Sequence, residues 1–424
     1  MEKVNLKEKV ACVIDDGMFM SFAQKLGESF KEVLYFSPWE KPYPKMNERL
    51  LGYGLPNITR VNAIWEHLDE VDIFVFPCVY FGDLQEHLES LGKRVWGSRR
   101  GEDMELYRDK MKAHMEKLKL PVGKYEVVTG IDALKEYLKK HEDVYVKINV
   151  DRGQFESFHS KNYKTIECKL NEVENNLGPF ESITDFIVED SLPDKVEIGI
   201  DTYTIDGKYP SKCLAGIEIK DSFYVGEFRD YRDFPKEITS FNDAISDTFK
   251  GYGYRGAFST EIRVGKDKVP YMIDMTCRLP SPCNELYQEM YTNIAEIVWH
   301  GSNGELIDPI AAARWGCQAL IYSSWSEKNY LPIDIPDDVK KYVKLINAVR
   351  IKNQYYICPQ ENPTDCIGSV IGMGDTLEKA FEQMKEVASK ISAYDIDIKI
   401  GSIEKAYEEI DKLAKFGIKL FSNG

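Results

Sequence analysis

Short apolar runs separated by amphipathic stretches mark the first hundred positions. The run at 10–14 is unbroken and ends in Asp15-Asp16-Gly17, which predicts a buried strand, a turn and a helix reaching about Phe30. Runs at 33–36 and 73–76 predict further strands of the same kind, and Val95-Trp96-Gly97 closes the unit. Strands that alternate with helical stretches imply a parallel sheet covered on both faces. A helix is predicted over 103–118, ended by Pro121. Strands at 125–128 and 144–150 then bracket a helix at 132–140 as a small lobe. Runs at 186–188, 196–205, 212–219, 257–264 and 269–275, punctuated by Gly207 and Gly265-Lys266-Asp267, predict a largely antiparallel sheet. Near the end, a strand at 368–371 precedes a helix that starts with Asp375 and Glu378 in capping-box spacing. One face of that helix carries Leu377, Ala380, Phe381, Met384, Val387, Ala388 and Ile391.

Composition narrows the class. At 424 residues the chain is long for one core, and 20 Phe with 25 Tyr favour large cores over disorder. The strongest apolar run, 71–81, is far short of the roughly 20 residues of a membrane helix, so no membrane partner is expected. The charged N-terminus lacks a secretory leader's apolar core, and nine scattered cysteines include no Cys-x-x-Cys pair, so a reducing cytoplasm is expected. A net charge of −15 argues against nucleic acid as a partner. The basic segment 93–100 reads as a solvated linker. Gly251-Tyr-Gly-Tyr-Arg-Gly256 fits Gly-x-Gly-x-x-Gly, but it precedes a predicted strand instead of following one and is not read as a dinucleotide site.

Candidate chemistry lies on two consecutive predicted strands joined by a tight turn. Glu261 on the first faces Asp274 on the second, and Asp274, Thr276 and Arg278 alternate onto one face. Two carboxylates bridged by a hard divalent cation to a polyphosphate, with Arg278 left for an oxyanion, suit phosphoryl transfer; a sheet face with a structural Asp–Arg pair fits the same residues. Upstream, Lys147 is a cation inside an apolar strand and needs an anion. Lys110 on the predicted helix is a second candidate, although a solvated helix face accounts for it as well. Glu189, Asp190 and Glu197 flank a turn at a spacing that allows a nucleoside to be held by base and ribose. Cys277 alternates to the opposite face from Asp274 and is read as core.

The order of these features resembles the ATP-grasp superfamily, in particular its carboxylate–amine ligases of the glycinamide ribonucleotide synthetase (phosphoribosylamine–glycine ligase) kind. The resemblance implies an α/β (α+β) ATP-grasp fold: an N-terminal parallel α/β domain at 1–98, an ATP-grasp domain at 99–310 with its small lobe at about 120–190, and a small C-terminal α/β domain at 311–424. It implies that Lys110 and Lys147 contact ATP phosphates, that Glu189 with the backbone at Asp190 meets the adenine and Glu197 the ribose. Glu261, Asp274 and Thr276 would hold Mg²⁺ or Mn²⁺, and Arg278 would stabilise an acyl phosphate. The activity implied joins a small-molecule carboxylate to an amine with release of ADP and phosphate, in a chain for which a homodimer stays open. A nucleotide-binding protein without turnover, or an enzyme acting on a peptide or nucleotide acceptor, fits the same pattern. Thr276 stands where the family has Asn, and the flap at 151–159, with Arg152 and His159 as candidate substrate contacts, holds one glycine.

Overall fold

The computed structural model describes residues 4–37, 51–150, 157–192, 194–359 and 366–422. The first apolar run forms β1 (Val10–Ile14), buried along its whole length. It is joined in parallel by β2 (Glu32–Phe36), β3 (Thr59–Arg60), β4 (Ile73–Val75) and β5 (Arg94–Trp96), in the order β3-β2-β1-β4-β5. Strands covered on both faces are continuously apolar, which is why β1 and β4 are legible in the sequence. The basic segment 93–100 is not a solvated linker. It contains β5, and Arg99 is only 2% exposed. Its guanidinium is paired with Glu89 and donates to the carbonyls of Gly97 and Val95, so no charge is buried alone.

The helix predicted over 103–118 is broken at Tyr107 into Asp103–Leu106 and Arg108–Lys117. The break docks this segment against the small lobe. The Arg108 N–H donates to the Asn149 side chain at 2.9 Å, and the Val150 N–H to the Leu106 carbonyl at 2.9 Å. The lobe is an antiparallel sheet of β6 (Tyr125–Thr129), β7 (Val144–Ile148), β8 (Ser157–Ser160) and β9 (Asp185–Asp190), in the order β6-β9-β7-β8. Its helices Ile131–Leu138 and Tyr163–Leu177 bury Leu134, Leu138, Leu170 and Val173 against it in a separate core.

The remaining large sheet contains β10 (Val196–Ile205), β11 (Lys212–Ile219), β12 (Phe223–Asp230), β13 (Arg255–Val264), β14 (Tyr271–Thr276) and β15 (Trp315–Tyr322). They lie in the order β14-β13-β10-β11-β12-β15, antiparallel throughout. The long strand Cys366–Gly374 pairs with β15 on its far side. The strands β12 and β15 and the helix Lys236–Gly251 are additions to the elements anticipated from sequence. Gly251 ends that helix and Gly256 lies inside β13, so the Gly-x-Gly-x-x-Gly segment is a helix-to-strand turn. The helix Leu377–Lys390 buries Ala380, Phe381, Met384, Val387 and Ala388 as expected. Its cap is Thr376, one residue after Asp375, because the Thr376 side chain is the acceptor for the Lys379 N–H.

A row of glycines crosses the large sheet. Gly199 of β10 pairs with Gly216 of β11, Gly216 with Gly226 of β12, and Gly226 with Gly316 of β15. The row forms a trough in which the Tyr224 ring lies. A Cβ on Gly216 would sit 2.3 Å from the Val225 carbonyl oxygen and 2.4 Å from Tyr224 Cζ. Gly216→Ala is therefore expected to cost about 1–3 kcal/mol, through displacement of Tyr224 and the neighbouring strand, and denaturant unfolding measures it.

Candidate functional site

The pairing of β10, β13 and β14 sets side chains in rows across one sheet face. Glu261 stands opposite Asp274 on one side and Gly199 on the other. One step along, Ser259 lies between Thr276 and Asp201; one step the other way, Arg263 lies beside Glu197. A shift in register between Glu261 and Ile262 leaves Ile273 as an extra residue, and its carbonyl accepts the Lys147 ammonium at 2.9 Å. The small lobe thus reaches the large sheet through a lysine.

Between lobe and sheet lies a cavity of about 220 Å³. Its walls gather Lys147, Glu189, Asp190, Glu197, Glu261, Asp274, Thr276 and Arg278, which are all of the residues expected to hold nucleotide, metal or acyl phosphate except Lys110. Lys110 is exposed, its ammonium 3.6 Å from the centre of the Tyr107 ring. Lys112, two residues on, is fully buried and pairs with Glu189 at 2.9 Å. The Arg108–Lys117 helix buries Arg108, Met111, Lys112 and Met115, the i, i+3, i+4, i+7 stripe of an inward face. That stripe is the sequence signal separating Lys112 from Lys110.

Charges in the cavity are compensated unevenly. Glu189 is held by Lys112 and by Lys147 at 3.1 Å, and Asp274 by Arg108 at 3.4 Å and Lys147 at 3.9 Å. Glu197 pairs with Arg263 at 3.0 Å. Burial disfavours the Lys147 ammonium, but Glu189 and Asp274 outweigh it and hold the group above its ordinary value. Burial wins at Lys112, which is pulled down despite Glu189. Burial opposes ionisation of Glu189, yet Lys147 and Lys112 hold its carboxyl below the usual range. By contrast, burial followed by the fields of Glu197 and Asp274 pushes Glu261 up to about 8. Burial and the fields of Glu261 and Glu197 also drive Glu218 of β11 upward.

The Glu261 shift has a testable sign. The folded chain keeps a proton that the unfolded chain releases above the ordinary value of 4.5, so stability falls as pH rises from there through about 8. In chelator, Glu261→Gln is expected to melt above the parent at alkaline pH and to converge with it toward the ordinary carboxylate value. Added Mg²⁺ should raise the parent's melting temperature and leave the variant's nearly unchanged. Thermal melts across a pH series check both.

Arg278 is aimed by a residue that sequence reasoning missed. Glu105, 1% exposed, accepts Arg278 Nε at 2.9 Å and the Cys277 N–H at 2.6 Å. Cys277 itself is buried, as expected from its strand parity. Of the predicted flap, residues 151–156, Arg152 among them, lie outside the described residues. His159 stacks on Tyr145 with ring centroids 4.5 Å apart and bonds Asp143 at 2.7 Å, outside the cavity wall.

The cavity suits a hard cation shared with a ligand. Among the described residues no group of three or more His, Cys, Asp or Glu side chains is placed to hold a metal ion. Mg²⁺ generally takes one or two carboxylates and completes its shell with substrate phosphates and water, and the facing pair Glu261 and Asp274 matches that requirement. No helix among the described residues is long and apolar enough to cross a membrane.

No family model and no curated protein sequence matches the chain. Solved structures do. Phosphoribosylamine–glycine ligase from Thermotoga maritima superposes with a TM-score of 0.67 at 15% identity, covering 92% of this chain and 98% of that one. The biotin carboxylase domain of the Hydrogenobacter thermophilus 2-oxoglutarate carboxylase, solved with MgADP and bicarbonate, gives a TM-score of 0.67 at 11% identity, covering 98% and 99%. L-amino acid ligase from Bacillus licheniformis gives 0.61 at 15% identity, covering 92% and 99%.

Proposed function

Since the chain has the ATP-grasp fold that these enzymes share, we propose that it is an ATP-dependent ligase joining a small carboxylate to an amine, with ADP and phosphate as products. A carboxylate oxygen attacks the γ-phosphorus of ATP and ADP leaves. The amine then attacks the acyl carbon, phosphate departs, and the amine loses a proton. The observation that carries the reading is the single cavity in which Lys147, Glu261, Asp274 and Arg278 converge from the small lobe and the large sheet.

Lys147 meets the phosphates, at the cost of loosening its hold on Glu189 and Asp274. The edge of the cavity at Glu189, Asp190 and Glu197 receives the nucleoside. Lys110 would reach a phosphate only by leaving the Tyr107 ring. Glu261 and Asp274, with the Thr276 hydroxyl, would hold Mg²⁺, or Mn²⁺ in its place, and the ion when bound would offset the charge of the polyphosphate. Arg278, fixed by Glu105, is set to stabilise the negative charge of the acyl phosphate and of the tetrahedral species that follows. Catalysis on this reading is positioning and charge stabilisation.

One observation favours binding without turnover: Arg108 already engages the Asp274 carboxylate that would hold the ion. An ADP-release assay over pools of carboxylates and amines, with Asp274→Ala as control, separates the two. The ligase reading expects Mg²⁺-dependent ADP release in at least one pool. ATP binding with no turnover in any pool would reject it.

A further inference from the structure

Asp201 is a carboxylate in the cavity wall that the proposed reaction leaves unused. It is 4% exposed and lines the cavity. Its partners are neutral: the Tyr224 hydroxyl donates to one oxygen and the Ser259 hydroxyl to the other at 2.8 Å. Glu189, Asp274 and Glu197 each have a Lys or Arg within ion-pair distance, whereas among the described residues Asp201 has none. Burial pushes the Asp201 carboxyl above its ordinary value against the pull of these neutral partners, so the group is left to be met by a proton or by a cation brought by a ligand.

Its place in the sheet gives that need a direction. Along β10, Glu197, Gly199 and Asp201 face the cavity at successive steps of about 6–7 Å. Glu197 and Arg263 lie toward Tyr145 of the small lobe, the Arg263 guanidinium 6.0 Å from that ring's centre. Gly199 lies in the row of Glu261 and Asp274. Asp201 lies in the row of Ser259 and Thr276, beyond which the chain leads to Arg278 and the cavity residues Pro280, Ser281 and Pro282. The cavity therefore runs from a nucleoside end, past the two carboxylates, to an end that pairs one guanidinium with one uncompensated carboxylate.

The glycine trough explains how Asp201 is held. The Tyr224 ring fills the space that side chains on Gly216 and Gly226 would occupy, and its hydroxyl crosses from β12 to β10. Burial and the charge of Asp201 push the Tyr224 phenol well above its ordinary value, so it stays a donor.

We propose that Asp201 is the anchor for the amine substrate, which binds as its ammonium ion at the Arg278 end of the cavity, with Tyr224 and Ser259 as positioning residues. The inference rests on the ligase reading and specifies its acceptor: a cationic amine is drawn in, and an amine bearing a phosphate is disfavoured by the same carboxylate.

The test is calorimetric titration of the full chain saturated with AMP-PNP and Mg²⁺. The probes are primary monoamines, diamines and amino-acid amides, each paired with its neutral alcohol or N-acetyl counterpart. At least one amine is expected to bind while its neutral counterpart does not. Asp201→Asn should weaken that amine by about tenfold or more, with Tm and AMP-PNP affinity retained. Tyr224→Phe should weaken it less. Equal affinity of parent and Asp201→Asn for the amine would overturn the proposal, as would a nucleotide-loaded parent that binds no amine. Failure of the parent to bind AMP-PNP would reject the ligase reading and this inference together, an outcome distinct from the other two.

Discussion

Replacing Asp274 by Asn is expected to lower Mg²⁺-dependent ADP release by about 10³-fold. The change keeps the shape of the side chain and removes one of the two carboxylates that face each other across β13 and β14. Glu261 alone then offers a divalent cation a single carboxylate, at a site where burial and the field of Glu197 still oppose its ionisation. Arg108, 1% exposed, also loses its contact with the Asp274 charge, so some loss of stability accompanies the loss of activity. Thermal melts and nucleotide titration separate the two effects. A variant that is folded, binds ATP and turns over nearly as fast as the parent would remove Asp274 from the reaction.

The largest expected effect on stability belongs to Glu189→Gln. The substitution leaves Lys112, fully buried, and Lys147, 9% exposed at its side chain, without their shared carboxylate. Breaking a buried ion pair from one side generally costs about 3–5 kcal/mol, and denaturant unfolding at neutral pH measures it. The pH dependence follows from the shifts. Lys112 is already pulled below its ordinary value, so in the variant it sheds its proton first, and the deficit against the parent shrinks as pH rises. In the parent, the Glu189 carboxyl is held low by Lys147 and Lys112. Its contribution is present above the ordinary carboxylate value of 4.5 and is lost as pH falls through the depressed folded value. A variant with parental stability across that range would show that the three charges are solvated in solution.

The sequence made this site legible where geometry is local. Strand alternation suffices to bring Asp274, Thr276 and Arg278 to the same face, whereas setting Glu261 against Asp274 also takes the register shift that leaves Ile273 as an extra residue. A lysine inside an apolar strand announced a buried anion, and Glu189 supplies it. What stayed hidden depends on contacts distant in the chain. Glu105 meets Arg278 across 173 positions, and no local pattern marks a helical Glu as an orienting group. Alternation puts Asp201 on the face of Glu197, but its significance appears only once Tyr224 and Ser259 arrive from other strands. The helix break at Tyr107 is set by docking onto Asn149 and Val150, so helical propensity could not show it. The glycine row is likewise a property of register between strands.

The central claim is that nucleotide and divalent cation meet between the small lobe and the large sheet. A crystal grown with AMP-PNP and Mn²⁺ tests it through the anomalous signal of the metal. The account predicts a manganese peak coordinated by Glu261 and Asp274, with the triphosphate extending toward Lys147 and the base near Glu189. A nucleotide bound away from Lys147 and Glu261, or a metal with no contact to either carboxylate, would contradict it.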